Sequence, residues 1–108
     1  MKAVYALRVT GDSMRPLLRP GALVIAQALD SGHDLTAGDV VVSRRPDRAG
    51  PEIIKRIHSI DAAGTIFLIG DNPDPLASTD SRTFGTVTRD QIHARVRWRI
   101  WPFPPRRV

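Results

Sequence analysis

A mainly β domain is what this sequence predicts, and three observations predict it. The apolar runs are short, about four to eight residues, and rich in Val and Ile. Clusters of Gly, Pro, Asp and Asn separate them at close intervals. Nowhere does an apolar period of 3.6 residues persist long enough for a packed helix.

The punctuation sets each element in turn. A first strand over Ala3–Val9 ends at Thr10-Gly11-Asp12, and a second over Ala22–Gln27 begins just after Pro20-Gly21. Gly38 opens a third over Asp39–Arg44, which stops before Pro46-Asp47. Gly50-Pro51 and Asp61 bracket a fourth over Glu52–Ile60, and Gly64 and Gly70-Asp71-Asn72 bracket a fifth over Thr65–Ile69. The last, Ile92–Trp101, ends at Pro102. Its alternation places Val96, Trp98 and Ile100 on one face and Arg95, Arg97 and Arg99 on the other. The one helix expected is a turn or two near Met14–Leu18, kept short by Pro16. Residues 1–102 read as a single domain and residues 103–108 as an extended, partly mobile Pro/Arg-rich tail.

Composition narrows the function. The 108 residues contain no Cys, which excludes disulfides, thiolate catalysis and Cys-ligated metal, and the scattered His33, His58 and His93 leave little for any other metal site. No apolar run is long enough to span a membrane and no signal-peptide pattern follows Met1, so a cytoplasmic protein without a transmembrane anchor is expected. Of the sixteen basic residues only Lys2 and Lys55 are lysines. Arginine stays protonated almost anywhere, whereas a desolvated lysine can serve as a neutral base.

Three segments depart from regular punctuation. In Thr10-Gly11-Asp12-Ser13-Met14-Arg15-Pro16 a serine stands at a turn whose unpaired N–H groups can cap its side chain or hold an anionic oxygen. In Glu52–Ile60, alternation puts Lys55 on a strand face with Ile53 and Ile57 and Arg56 on the other with Ile54, His58 and Ile60; burial of the lysine's face lowers an amine's pKa, and a half-exposed face would instead let the ammonium reach water. The stretch from Gly70 to Gly85 is long for so small a domain and dense in Asp, Asn and Ser. Side-chain-to-backbone bonds and an Asp80–Arg82 ion pair are expected to order it.

In their order and spacing these segments resemble the signal peptidase I family of Ser–Lys proteases. The resemblance runs from about Val9 to Pro102. Its blocks are Gly11-Asp12-Ser13-Met14-Arg15-Pro16-Leu17-Leu18, Gly38-Asp39-Val40-Val41-Val42, Ile54-Lys55-Arg56-Ile57, Gly70-Asp71-Asn72, Ser78 to Gly85, and Trp101-Pro102. Size and the closing Trp-Pro look most like the small soluble proteases that mature nickel-type superoxide dismutase.

The resemblance implies a compact, coiled antiparallel sheet or partly open barrel of the signal peptidase/LexA catalytic type, with one short helix after the nucleophile. It implies Ser13 as nucleophile, Lys55 as general base and Ser78 as the serine that orients the lysine. Gly11, Asp12 and Met14 fall in the substrate and oxyanion region, and Gly70, Asp71, Asn72, Asp80, Ser81 and Arg82 in the structural loop. No cofactor or metal is implied, the partner is a protein precursor with an N-terminal leader peptide, and oligomeric state is left open. Many relatives carry a hydroxyl two residues before the nucleophile, where this chain has Gly11, and the stretch from Asn72 to Ser78 is two residues longer than the usual bacterial spacing.

Two alternatives compete. A self-cleaving LexA-type domain would need a helix-turn-helix and a cleavable linker, for which no pattern precedes Val9. A basic nucleic-acid-binding β-barrel would use the arginine strand, but with Trp98 facing away from the arginines no nucleic acid is expected.

Overall fold

The computed structural model describes residues 3–30 and 34–108, so Lys2 and His33 lie outside the described residues. All six expected strands form, with ends displaced by at most one residue: β1 (Val4–Arg8), β2 (Leu23–Ala28), β3 (Val40–Ser43), β4 (Ile53–Ile60), β5 (Ile66–Ile69) and β6 (Ile92–Trp101). They make one antiparallel sheet in the order β1-β2-β6-β3-β4-β5, left open with β1 and β5 at its ends.

Both faces of the sheet are buried near its middle. Val40 and Val42 of β3 join Val9, Met14, Leu18, Val24, Ala26, Ala94 and Val96 in one core, while Val41 points to a second with Ile57, Ile66, Leu68, Val87 and Ile92. A strand buried on both faces reads as an unbroken apolar run, which is why residues 40–42 are three valines. Each such side chain contributes about 1.5–3 kcal/mol when fully buried.

Four expectations about local structure change. The short helix is not directly after Ser13. Residues 14–18 form successive turns, with Arg15 N–H donating to Asp12 O (3.1 Å) and Leu18 N–H to Met14 O (2.8 Å), because Pro16 has no N–H to continue a helical ladder. The α-helix, α1 (Ser81–Phe84), lies instead in the long loop, capped by the Asp80 carboxylate on Arg82 N–H.

Second, β6 does not alternate cleanly. Its pairing with β2 shifts between Ile25 and Ala26 and again between Leu23 and Val24, so that Val96 pairs with Ala26, Trp98 with Ile25, Arg99 with Val24 and Trp101 with Leu23. Each bulge inserts one residue and flips the pleat. Trp98 therefore shares the outer face with Arg95 and Arg107, and still opposes Arg99, which falls in the row of core residue Val24. Both exposed tryptophans carry a guanidinium, Arg107 over Trp98 at 5.9 Å and Arg19 over Trp101 at 5.3 Å. Third, a bulge at His58, between the Ile57–Leu68 and Ser59–Phe67 pairs, returns Ile60 to the Ile57 side of β4. Fourth, the tail is tied down: β7 (Arg106–Arg107) pairs with Trp98 and Arg99, and Val108 N–H donates to Arg97 O (3.0 Å).

Candidate active site

Ser13 and Lys55, 42 residues apart, meet near the start of β4. Lys55 Nζ lies 2.7 Å from Ser13 Oγ. Lys55 is 5% exposed, which removes the reading in which its ammonium reaches bulk water. Burial lowers its pKa below the ordinary lysine value. The Asp80 charge acts in the opposite sense and Arg45 adds to the lowering.

The Ser13 turn is held from the long loop. Asn72 N–H donates to Ser13 O (2.9 Å) and Asn72 Nδ2 to Asp12 O (2.9 Å). Asp71, beside Asn72, receives Arg56 through Nε and Nη2, both at 2.8 Å, and Arg56 Nη1 donates to Gly38 O (2.6 Å). The residue after the lysine thus anchors the segment that clamps the serine. Gly70 stands where these parts converge: a Cβ there would lie 2.4 Å from Ser78 Oγ and 2.6 Å from Ser13 O.

Asp80 ties the rest of the loop together. Fully buried, it accepts from Gly70 N–H (3.0 Å), Ser78 Oγ–H (2.8 Å), Arg82 N–H (3.1 Å), and Arg82 Nε (3.0 Å) and Nη2 (2.8 Å). Burial alone would raise its carboxyl pKa. The hydrogen bonds, led by Arg82 and followed by Gly70, Ser78 and Arg82 N–H, outweigh that effect and hold the group far below the usual carboxylate range. Ser81, also buried, accepts from Leu68 N–H (2.8 Å) and fixes the loop to β5.

The structure thus brings Ser13, Lys55, Gly70, Asn72, Ser78 and Asp80 together. Ser78 hydrogen-bonds Asp80; the hydrogen bond from Lys55 Nζ goes to Ser13. Asp12 points outward to an exposed pair with Arg15 (2.7 Å). Gly11 adopts a φ of 76°, a left-handed conformation that glycine reaches without a steric cost, consistent with glycine where relatives carry a hydroxyl. Met14 is 1% exposed, at once a core residue and part of the cleft floor.

Beside Ser13 runs a cleft of about 250 Å³ lined by Leu7–Thr10, Met14, Val42 and Glu52–Lys55. Its walls are strand edges. β1 ends the sheet, and β4 pairs with β5 only from Arg56 onward, so residues 53–55 keep a free edge among the described residues. Ser13 N–H has no hydrogen-bond partner among the described residues. Among these residues no group of His, Cys, Asp and Glu is arranged to hold a metal ion. His58 is exposed against Phe67, and His93 bonds Glu52, so neither histidine is placed to serve Ser13. The Asn72 clamp and the convergence on Gly70 carried no signal in the sequence beyond the block that contains them, and the Leu7–Thr10 wall lies outside every block.

Comparison with known proteins agrees with this geometry. The chain is 31% identical over 116 residues to the mitochondrial ATP-independent inner membrane protease subunit 1b of Arabidopsis thaliana, covering 86% of this chain and 68% of that one. It is 31% identical over 114 residues to the mitochondrial inner membrane protease subunit 1 of Xenopus tropicalis, covering 86% and 66%. The chain thus spans about two thirds of the length of these relatives. A shorter match, 52% identical over 40 residues, covers 37% of this chain and 21% of the signal peptidase I of Bacillus caldolyticus. In the described residues no helix is long and apolar enough to cross a membrane. The family model described as Peptidase S24-like matches residues 1–89, and the chain belongs to that family of signal-peptidase-like serine endopeptidases.

Proposed function

We propose that the protein removes an N-terminal leader peptide from a protein precursor through a Ser13–Lys55 dyad. The observation that carries this reading is the 2.7 Å contact between Ser13 Oγ and an amine that burial biases toward its neutral form. In the neutral amine the Nζ lone pair accepts the Ser13 hydroxyl hydrogen. As Oγ attacks the scissile carbonyl carbon, its proton passes to Nζ, and the carbonyl oxygen becomes an oxyanion facing the unpaired Ser13 N–H. Collapse breaks the C–N bond, and the Lys55 ammonium gives its proton to the departing amine. Water then attacks the acyl-enzyme with neutral Lys55 as base, which releases the leader as a carboxylate and restores Ser13.

The leader lies extended between the free edges of β1 and β4, where backbone bonds supply affinity and the shallow apolar wall of Leu7, Val9, Met14, Val42 and Ile53 favours a small side chain at the cut. Ser78 and Arg82 act through Asp80 to hold the loop that positions Ser13. The resemblance to small maturation proteases makes a nickel-type superoxide dismutase precursor the candidate substrate and the cytoplasm the candidate location. Incubation with that precursor, read by mass spectrometry, tests the reading. The wild type yields a single new N-terminus, and Ser13→Ala and Lys55→Ala yield none; equal cleavage by all three proteins overturns it.

A further inference from the structure

The cleft contains one acidic side chain, and the peptidase mechanism has no use for it. Glu52 stands immediately before β4 and lines the same cleft as Ser13 and Lys55. Its carboxylate is held by His93 at the start of β6: Nδ1–H donates to Glu52 Oε2. Tyr5 lies close enough to feel the Glu52 charge. The side chain is neither buried nor free, with 39% of it exposed. Of the cleft's cations, Arg8 is turned to Gly21 O (2.9 Å) and Lys55 to Ser13. The other lining side chains are apolar apart from Thr10 and Ser13.

A carboxylate in an otherwise apolar groove, steadied on one oxygen and open to solvent, is suited to an incoming cation. The His93 contact orients the carboxylate through one of its two oxygens. The opposite oxygen can then accept from a guanidinium or ammonium. Glu52 precedes Lys55 by three residues, a backbone separation of about 10 Å along the strand edge that lines the cleft. An extended substrate covers the same distance in the same number of residues.

We propose that Glu52 is a specificity-determining residue that selects substrates with an Arg or Lys about three residues from the scissile bond. This rests on the leader-peptidase reading above. His93 is its positioning residue, and the apolar wall nearer Ser13 continues to select the small residue at the cut.

The test uses fluorogenic ten-residue peptides with Ala at the cleaved position and Arg, norleucine or Glu placed singly at each other position. Cleavage is measured as kcat/KM for the wild type, Glu52→Gln and Glu52→Lys, and binding of the same peptides to Ser13→Ala, alone and combined with Glu52→Gln, by fluorescence anisotropy. Ratios between peptides within one protein cancel differences in folding, and glutamine retains an acceptor for His93. The wild type is expected to prefer Arg over norleucine about five-fold at one position, as a partly exposed ion pair allows. The ratio falls to about one in Glu52→Gln and inverts in favour of Glu in Glu52→Lys. Ser13-dependent cleavage with the same ratio in all three proteins overturns the role of Glu52 and leaves the peptidase reading intact. Absence of cleavage together with Glu52-dependent binding of Arg peptides upholds the role and overturns the catalytic reading. Absence of both overturns both.

Discussion

Gly70 and Ser13 pack backbone against backbone. A methyl group added at Gly70 would stand 2.6 Å from the Ser13 carbonyl oxygen and 2.4 Å from Ser78 Oγ. The end of β5 is thereby set directly beneath the turn that carries the candidate nucleophile.

Gly70→Ala is therefore expected to push the Ser13 turn away from Lys55. Overpacking of this kind costs about 1–3 kcal/mol of stability, and a displacement near 1 Å lowers kcat/KM by about 100-fold. Urea unfolding and leader-peptide cleavage measure the two effects. Wild-type values in both would show that the turn has room that the geometry denies.

Asn72→Ala removes the side-chain bond to Asp12 O but keeps the backbone bond to Ser13 O. The expected result is a loss of about 1 kcal/mol in stability and a fall of about ten-fold in kcat/KM, with the midpoint of the pH–rate profile unmoved. A shifted midpoint would mean that Asn72 acts on the lysine and not on the serine turn.

Asp80 should dominate the acid limb of stability. Its folded pKa is depressed, so its contribution is complete above the unfolded value near 3.9 and is lost as pH falls toward the folded value. Asp80→Asn takes the anion away from the buried Gly70 N–H, the half-buried Ser78 and the exposed Arg82 guanidinium, and is expected to cost about 2 kcal/mol at neutral pH. Unfolding at pH 7 and near pH 2.5 checks the sign: the gap between wild type and variant narrows on acidification. A constant gap contradicts the assignment.

Lys55 is expected to oppose folding. Its pKa is lowered in the folded state, so the folded protein binds fewer protons than the unfolded chain between the two pKa values, and stability rises with pH across that window. Lys55→Met fills the same space without a desolvated amine and is expected to stabilise the protein at pH 7 by about 2 kcal/mol while abolishing cleavage. The stabilisation shrinks by pH 10.5, where about half of the unfolded lysine is also neutral. Chemical denaturation at the two pH values measures it, and a variant less stable than wild type at pH 7 runs against this account.

Much of this molecule is legible in its sequence, and the parts that are not share a cause. Gly21, Gly38, Gly64 and Pro102 mark strand limits because φ > 0 and the missing proline N–H act locally. Ile53 and Ile57 on the same strand face make a buried Lys55 one of two readings of the sequence, and its burial in the structure decides between them. The bulges in β6 and at His58 are set by how whole strands pair, so a period-two reading put Trp98 on the wrong face of the sheet and Ile60 on the wrong side of β4. The turn at Met14–Leu18 reads as a helix because its apolar spacing is helical, although Pro16 interrupts the ladder. The pairing of Ser13 with Lys55 was suggested by resemblance to a family, since no local pattern links residues 42 positions apart. The Asn72 clamp and the Glu52–His93 contact depend on loop geometry that side-chain types alone do not encode.

The central claim is that neutral Lys55 takes the proton from Ser13. The dependence of kcat/KM on pH for the wild type and Lys55→Arg tests it most directly. The wild-type rate is expected to rise ten-fold per pH unit up to a pKa below the ordinary lysine value and then to level. Lys55→Arg is expected to be inactive throughout, because a guanidinium does not give up its proton. A flat profile from about pH 6 to 10, or cleavage by Lys55→Arg, would contradict the claim.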